Sequence, residues 1–373
     1  MPTEVLADEK ALREVRRDRT FAQMDSNGID VLLLGYEANA RYVSGAQRLW
    51  TAGTRPYGPG CVVVRSTGAI HLVSTWDEGI PEDIPHENLF GITWNPGNVL
   101  AWLEAIEGTM QARRIGTDSL TPRFAKLLAR AFPDAELVDA EPAMQAARRI
   151  KAPEEIEAIR GAVSLAEQAL SVAVAELRPG VRTRHLRAVF MEAMARSGVT
   201  TPATQEVARV YPHRGRTDAD EVTGDDLVVF DVGVVAGGYI GEVARTWPVN
   251  ATSFGSSVRD LNSRADRLWD LLLGACRPGA GCSELLHAYE LAGEAIPSFP
   301  IAWGLGMGFD RPVVVQELPA TAAQEQLEPG MVLAIVASVA DGSHVLLRKE
   351  AVLVSPEGPV RLTTSPRWHP DAP

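Results

Sequence analysis

The 373-residue chain is predicted to be an α/β (α+β) protein with two domains, residues 1–150 and 151–373. Three observations predict this. Short apolar runs alternate with amphipathic stretches through the first 150 residues, the grammar of a mostly parallel or mixed sheet between helices. Ala152-Pro153 then opens a long helical pattern, with proline in the first turn and Glu154-Glu155 behind it. Beyond that point one order of elements occurs twice: two helices about an Arg-Pro-Gly break, then a sheet segment. The breaks are Arg178-Pro179-Gly180 and Arg277-Pro278-Gly279. Repetition of this kind predicts an internal duplication with a site between its halves, although so long a period and so short a match also arise by chance.

The elements follow in order. Residues 13–28 predict a basic amphipathic helix closed by Asn27-Gly28. Residues 29–34 predict a buried strand, and 61–65 with 69–74 a hairpin around Thr67-Gly68. A helix over 98–106, a strand over 114–118, a helix over 124–131 and a strand over 135–139 complete the first domain. It holds no phosphate-loop or dinucleotide fingerprint. In the second domain the first helix runs from 153 to 177, with Ile156, Ile159, Val163, Leu170 and Val174 on one stripe. Helices over 183–198, 258–275 and 283–293 follow, with later strands around Ile301, Val332 and Val352.

A hydrophobic content of 46% against 23% charged residues is enough for a sizeable core. The net charge of −12 argues against nonspecific nucleic-acid binding. Cys61, Cys276 and Cys282 show no metal-type clustering and suit a reducing compartment, with Cys276 and Cys282 read as buried thiols rather than a redox pair. The first ten residues lack the apolar core of a secretion signal, and no run of about 18 apolar residues occurs. The expectation is a cytoplasmic protein without nucleic-acid or membrane partners.

The stretch from Asp231 to Thr246, DVGVVAGGYIGEVART, carries the strongest site signal. Val, Ile and Tyr flank Ala236-Gly237-Gly238, a hairpin pattern. A two-residue turn at Ala236-Gly237 would set Asp231 directly opposite Glu242 on one face. Opposed like charges destabilise a strand pair unless a cation, a shared proton or a basic neighbour compensates. The bland alternative is a solvated pair on an exposed face.

Further motifs are PHRGRTDADEVTGDDLVVFDVG, AWGLGMGFDRP, LEPGMVLAIV and LLRKEAVLV, with NGIDVLLLGYEANARYVSG early and RRIKAPEEIEAIRGA at the junction. In order and spacing the chain resembles the creatinase, prolidase and aminopeptidase P superfamily. The resemblance implies a creatinase-like N-terminal domain, a pita-bread C-terminal domain with pseudo-twofold duplication, and a homodimer. The family's metallopeptidases hold two divalent ions with Asp, Asp, His, Glu and Glu. Asp231 matches the first and Glu242 falls at the second. Trp303 stands where the family has His, in AWGLG instead of GHGIG. Val336 stands at the fourth position, and Glu350 matches the fifth.

Indole offers only a donor N–H, and valine offers nothing. Dinuclear hydrolysis, which needs ions about 3.5–4 Å apart, is therefore not expected. No cofactor is expected; the alternative is a single hard ion such as Mg²⁺, Mn²⁺ or Ca²⁺ on Asp231, Glu242 and Glu350. Without an ion these carboxylates would crowd together. Arg348 shares a strand face with Glu350 and is the favoured neutralising cation. Arg245 points to the other face from Glu242 and is the poorer one.

The resemblance also places His213, in Tyr211-Pro212-His213-Arg214-Gly215-Arg216, beside the scissile bond. In creatinase, which lacks the metal site, the matching His moves protons during C–N cleavage. A side chain with pKa near 6.5 suits that task. Ala244 stands at one of creatinase's glutamate positions, so creatine is a poor substrate candidate. Arg214 and Arg216 offer guanidinium forks to a substrate carboxylate, or form a solvated basic loop. Trp303 fills vacated ion space or walls a ligand, and Arg55 reaches a partner subunit's site. The leading expectation is a metal-independent enzyme acting on a small amino-acid-like or short-peptide substrate. The alternatives are a catalytically silent binding homologue and a one-ion hydrolase or lyase.

Overall fold

The computed structural model describes residues 9–46, 58–204, 207–212, 221–250, 256–319 and 325–369. The chain divides into two compact units between Arg149 and Ile150.

The N-terminal unit contains α1 (Glu9–Ser26), β1 (Val31–Leu34), α2 (Glu37–Ser44), β2 (Cys61–Val64), β3 (Ile70–Val73) and β4 (Leu89–Phe90). These are followed by α3 (Pro96–Ala105), β5 (Arg114–Thr117), α4 (Pro122–Ala131), β6 (Glu136–Asp139) and α5 (Glu141–Arg149). The sheet order is β4-β3-β2-β1-β5-β6. β1, β5 and β6 run parallel while β1, β2 and β3 alternate, so the sheet is mixed. Val31, Leu33, Val62 and Val64 meet Val99, Leu103, Phe124 and Leu128 of α3 and α4 in one core.

The C-terminal unit begins with α6 (Pro153–Ala175), α7 (Thr183–Arg196), β7 (Ala208–Tyr211), β8 (Leu227–Ala236) and β9 (Tyr239–Pro248). The Glu155 carboxylate accepts from the Ala152 N–H at 3.0 Å and so caps α6. By length and composition α6 could cross a membrane. Here its apolar stripe, Ile159, Ala162, Val163, Ala166 and Leu170, is buried in the fold. The second half supplies α8 (Ser256–Ala275), α9 (Ser283–Ala292), β10 (Ala302–Leu305), β11 (Phe309–Val314), β12 (Val332–Ala340), β13 (Val345–Ser355) and β14 (Gly358–Arg361).

One sheet runs β11-β10-β12-β13-β9-β8-β7, with β14 also on β13. It is two antiparallel groups joined at a seam, where β9 meets β13 at the pair Lys349↔Ala244. Each group has its own helical core. Val228, Phe230, Val232, Val234 and Val243 pack with α6 and α7. Leu333, Ile335, Leu346, Val352 and Val354 pack with α8 and α9. This is the duplicated pita-bread architecture. Strand alternation then fixes the other face: it carries Val229, Ala244, Val336 and Leu347, with Tyr211 and Trp303 packed on them.

The β8–β9 turn differs from the expected Ala236-Gly237. Ala236 pairs with Tyr239, so the turn residues are Gly237 and Gly238, with φ of 57° and 87°. Type I′ turns need positive φ at both central positions, which alanine resists and glycine accepts. Asp231 consequently pairs with Ala244, and Glu242 with Gly233. The register differs by two residues, so both carboxylates stay on one face, diagonal rather than opposite.

All three cysteines are buried free thiols. Burial pushes the Cys61 and Cys276 thiols up, which makes them unreactive.

Gly241 is where α6 lies closest on β9. A Cβ there would stand 2.2 Å from the Ala162 carbonyl carbon and 2.3 Å from the Val163 nitrogen, both helix backbone. Gly241→Ala should therefore destabilise the chain by about 3 kcal/mol, the upper end of the overpacking range. Urea-unfolding midpoints check this; an unchanged midpoint would show that α6 shifts freely.

Candidate active site

The site lies at the seam, on the face away from the helices. Asp231 comes from β8, Glu242 from β9, Trp303 from β10, Val336 from β12 and Lys349 from β13. Gly233 makes room for Glu242: a Cβ at Gly233 would stand 3.0 Å from the Glu242 Cγ. Val336 and Ala244 pair with Lys349 from either side, both without polar side-chain atoms.

Lys349 is the centre of the cluster. Its Nζ is 2.6 Å from Asp231 Oδ1 and 3.5 Å from Glu242 Oε2. The lysine side chain is 3% exposed and the glutamate 2%. The ammonium also lies 5.4 Å from the Trp303 ring centroid, within cation–π range. Trp303 Nε1 donates to Glu242 Oε2 at 3.2 Å. Arg209 Nη2 donates to Asp231 Oδ2 at 3.0 Å. Burial pushes the Glu242 carboxyl above the ordinary range, with Asp231 adding to the shift and Lys349 opposing it. Burial works against the charge on Lys349, but Glu242 and Asp231 together outweigh it and raise the pKa. The lysine is an ammonium at neutral pH.

Glu350 does not join Asp231 and Glu242, contrary to expectation. Neighbours on a strand face opposite ways, so when Lys349 enters the pocket, Glu350 enters the helix-covered side. There Thr363 Oγ1 donates to its Oε2 at 2.5 Å and Arg367 Nε to its Oε1 at 2.6 Å. Arg245 and Arg361 lie 3.8 and 3.6 Å away. Arg245, expected to be the poorer partner, is thus a partner of Glu350, while the expected partner Arg348 turns elsewhere. Arg348 bonds Asp266 at 2.5 Å and Asn262 at 2.7 Å, both on α8, and has no access to the pocket. It ties β13 to its covering helix.

Arg245 also donates through Nη1 to the carbonyls of Ala244 (2.9 Å) and Lys349 (3.2 Å), the two residues paired at the seam. Its Nη2 reaches the Ser365 carbonyl at 3.3 Å. Glu167 accepts from the Thr364 and Ser365 N–H groups at 2.8 and 2.5 Å. The segment after β14 is thereby fastened behind the site.

The one-ion set of Asp231, Glu242 and Glu350 is consequently not assembled. Among the described residues no three His, Cys, Asp or Glu side chains converge as metal ligands. The five pocket positions offer two carboxylates, and an ammonium stands between them. This donor set does not fit a divalent ion. Trp303 lies where expected, though it holds Glu242 and covers Lys349 as well as filling space. His213, Arg214, Arg216 and Arg55 lie outside the described residues. Tyr211, two positions before His213, packs on the pocket floor beside Val336 and Trp303. Lys349 and Arg209 were not expected from the sequence. The available signal for Lys349 was a lysine on the opposite strand parity from Glu350.

Comparison with known proteins agrees with this architecture. The model of metallopeptidase family M24 matches residues 157–355, and that of the creatinase/prolidase N-terminal domain matches residues 16–150. An Xaa-Pro dipeptidase from Pyrococcus horikoshii is 24% identical over 92% of this chain and 95% of its own length. Creatinase from Bacillus sp. (strain B-0618) is 28% identical over 53% of this chain, a match that spans 46% of creatinase. The crystal structure of the prolidase from P. horikoshii OT3 superposes with a TM-score of 0.74 at 20% identity, covering 94% of this chain and 99% of that one. With both models matched in order along one chain, the protein belongs to metallopeptidase family M24 and carries the creatinase/prolidase N-terminal domain.

Proposed function

We propose that this chain is a metal-independent, creatinase-like hydrolase that cleaves a C–N or related polar bond of a small amino-acid-like or dipeptide-sized molecule. The observation that carries the reading is the pocket's donor set: among the described residues its carboxylates are Asp231 and Glu242, and both face Lys349. Water activation by paired ions needs ligands that this set does not supply. Proton transfer by His213 does not need them. In this reading His213 moves the proton, and Asp231 and Glu242 orient the polar groups of the substrate. Trp303 forms one wall, and Arg214 and Arg216 receive a carboxylate. Glu350 and Arg348 have no catalytic or binding role. A cytoplasmic homodimer, with Arg55 reaching a partner's site, belongs to the same proposal. One observation also suits a silent binding protein, since Lys349 already engages both carboxylates.

Turnover separates the two. A screen of small C–N substrates should yield an activity that survives chelation, and His213→Ala should lower kcat by at least about 100-fold. Unchanged turnover in that variant removes the proposal, and absence of any turnover favours the silent reading. Xaa-Pro dipeptides should be cleaved slowly or not at all; brisk, chelator-sensitive cleavage would contradict the site as described.

A pH dependence follows from the ion pairs. Lys349→Met leaves the buried Glu242 and the half-buried Asp231 without their ammonium and should cost about 3 kcal/mol at neutral pH, the lower end of the range for a broken buried pair. It should also lift the already raised Glu242 pKa further. A group raised in the folded state gives stability that is fully present below its unfolded value, near 4.5 here, and lost as pH rises through the folded value. The variant's deficit should therefore be small near pH 4.5 and grow towards pH 7. Urea unfolding at both values checks it; equal deficits would show that Lys349 does not act through the carboxylates.

A further inference from the structure

A buried lysine needs one carboxylate partner, and Lys349 has two, reached from the other half of the duplicated sheet. Asp231 and Glu242 belong to the first half and Lys349 to the second. Nζ stands 2.6 Å from Asp231 Oδ1 and 3.5 Å from Glu242 Oε2, between the two carboxylates; the first distance matches the range of about 2.3–2.6 Å for Ca²⁺–oxygen bonds, and the second is an ion-pair distance. Arg209 donates to the other Asp231 oxygen, Oδ2, which turns Oδ1 towards the ammonium, and Trp303 donates from the side to the same Glu242 Oε2 that faces Lys349.

We propose that Lys349 is a tethered cation occupying the position of a divalent ion, and that this one side chain locks the pocket against metal. The inference rests on the metal-independent reading above and extends it to a cause and a stoichiometry. Replacing Lys349 by glutamate removes the ammonium and places a third carboxylate around the same point. Three carboxylates with Arg209 beside them leave two negative charges uncompensated, which one divalent ion matches. Such a group must otherwise take up protons. Among the described residues a second ion finds no ligands, because Trp303 and Val336 offer none. The variant therefore gains one site, not two.

The test uses full-length native protein, Lys349→Glu, Lys349→Ala and the double variant Lys349→Glu with Asp231→Asn. Each is equilibrated with Mn²⁺, then read by bound-metal analysis and thermal melting. Native protein should bind no Mn²⁺ and show no Mn²⁺-dependent shift in Tm. Lys349→Glu should bind about one Mn²⁺ per chain and melt several degrees higher with the ion, as preferential binding to the folded state requires. Lys349→Ala should bind at least about tenfold more weakly than Lys349→Glu, and the double variant should lose the gain. If Lys349→Glu folds only when Mn²⁺ is present, that dependence supports the proposal equally. A folded Lys349→Glu chain that binds no more Mn²⁺ than native overturns it. So does a Lys349→Glu chain that fails to fold with or without Mn²⁺, taken with a Lys349→Ala chain indifferent to the ion. In these cases native protein still binds nothing, and the proposed function stands. Two tightly held ions in native protein would overturn both.

Discussion

Two carboxylates on one buried sheet face set the terms for everything around them. A pair of unit charges about 4 Å apart interacts by about 4 kcal/mol at an effective dielectric constant of 20, and each buried ion loses several kcal/mol of hydration. One ammonium facing one carboxylate therefore comes out near zero. One ammonium facing two gains a second attraction, set against one further desolvation and the repulsion between the carboxylates, which the partial exposure of Asp231 and its bond to Arg209 relieve. Lys349, nearly inaccessible to solvent and within reach of both Asp231 and Glu242, realises the second case. Arg209 at Asp231 and the indole N–H at Glu242 supply the rest of the compensation. Without this cluster the diagonal pair across β8 and β9 would be a fault in the sheet.

The same cluster joins the halves of the duplicated unit. The backbone register between them contains a single pair, Lys349 with Ala244. On the pocket side the Lys349 side chain crosses the seam to Asp231 and Glu242. On the helix side Arg245 crosses it in the other direction, bonding both carbonyls of that pair and lying near Glu350. Glu350 in turn holds Thr363 and Arg367 of the final segment. Two ionic layers, one on each face, thus clamp one backbone contact. A break in the rear layer would be felt in the pocket through the position of the Lys349 backbone.

Much of this was legible from the residues. The helix stripe of α6, the hairpin at Gly237-Gly238 and the repetition of helix pairs rest on local periodicity and turn chemistry. The placing of Asp231 and Glu242 on one face held although the turn moved by one residue, because moving a two-residue turn by one changes the pairing by two. Glu350 failed for a different reason. Motif resemblance paired glutamate with glutamate, whereas a strand assigns faces by parity, and parity gave the pocket to Lys349. The separate inferences that Arg348 shares a face with Glu350 and that Arg245 points away from Glu242 were both sound. They went astray only in assuming that Glu350 and Glu242 share a face. Arg209 had no signal, since an isolated arginine on a short strand carries no spacing.

A fixed ammonium is a different reagent from a pair of ions. It carries one charge in place of four and donates hydrogen bonds instead of accepting lone pairs. It cannot hold a water as a ligand, so it cannot bring that water's pKa towards 7. It can stabilise an anion forming beside it, and its tether keeps it from dissociating or exchanging. In the proposed reading, chemistry on this scaffold is therefore confined to bonds whose cleavage needs a proton moved and a polar group held, the work given to His213 and the two carboxylates. In that same reading, peptide hydrolysis by direct water attack would ask more of the pocket than Lys349, Asp231 and Glu242 together supply.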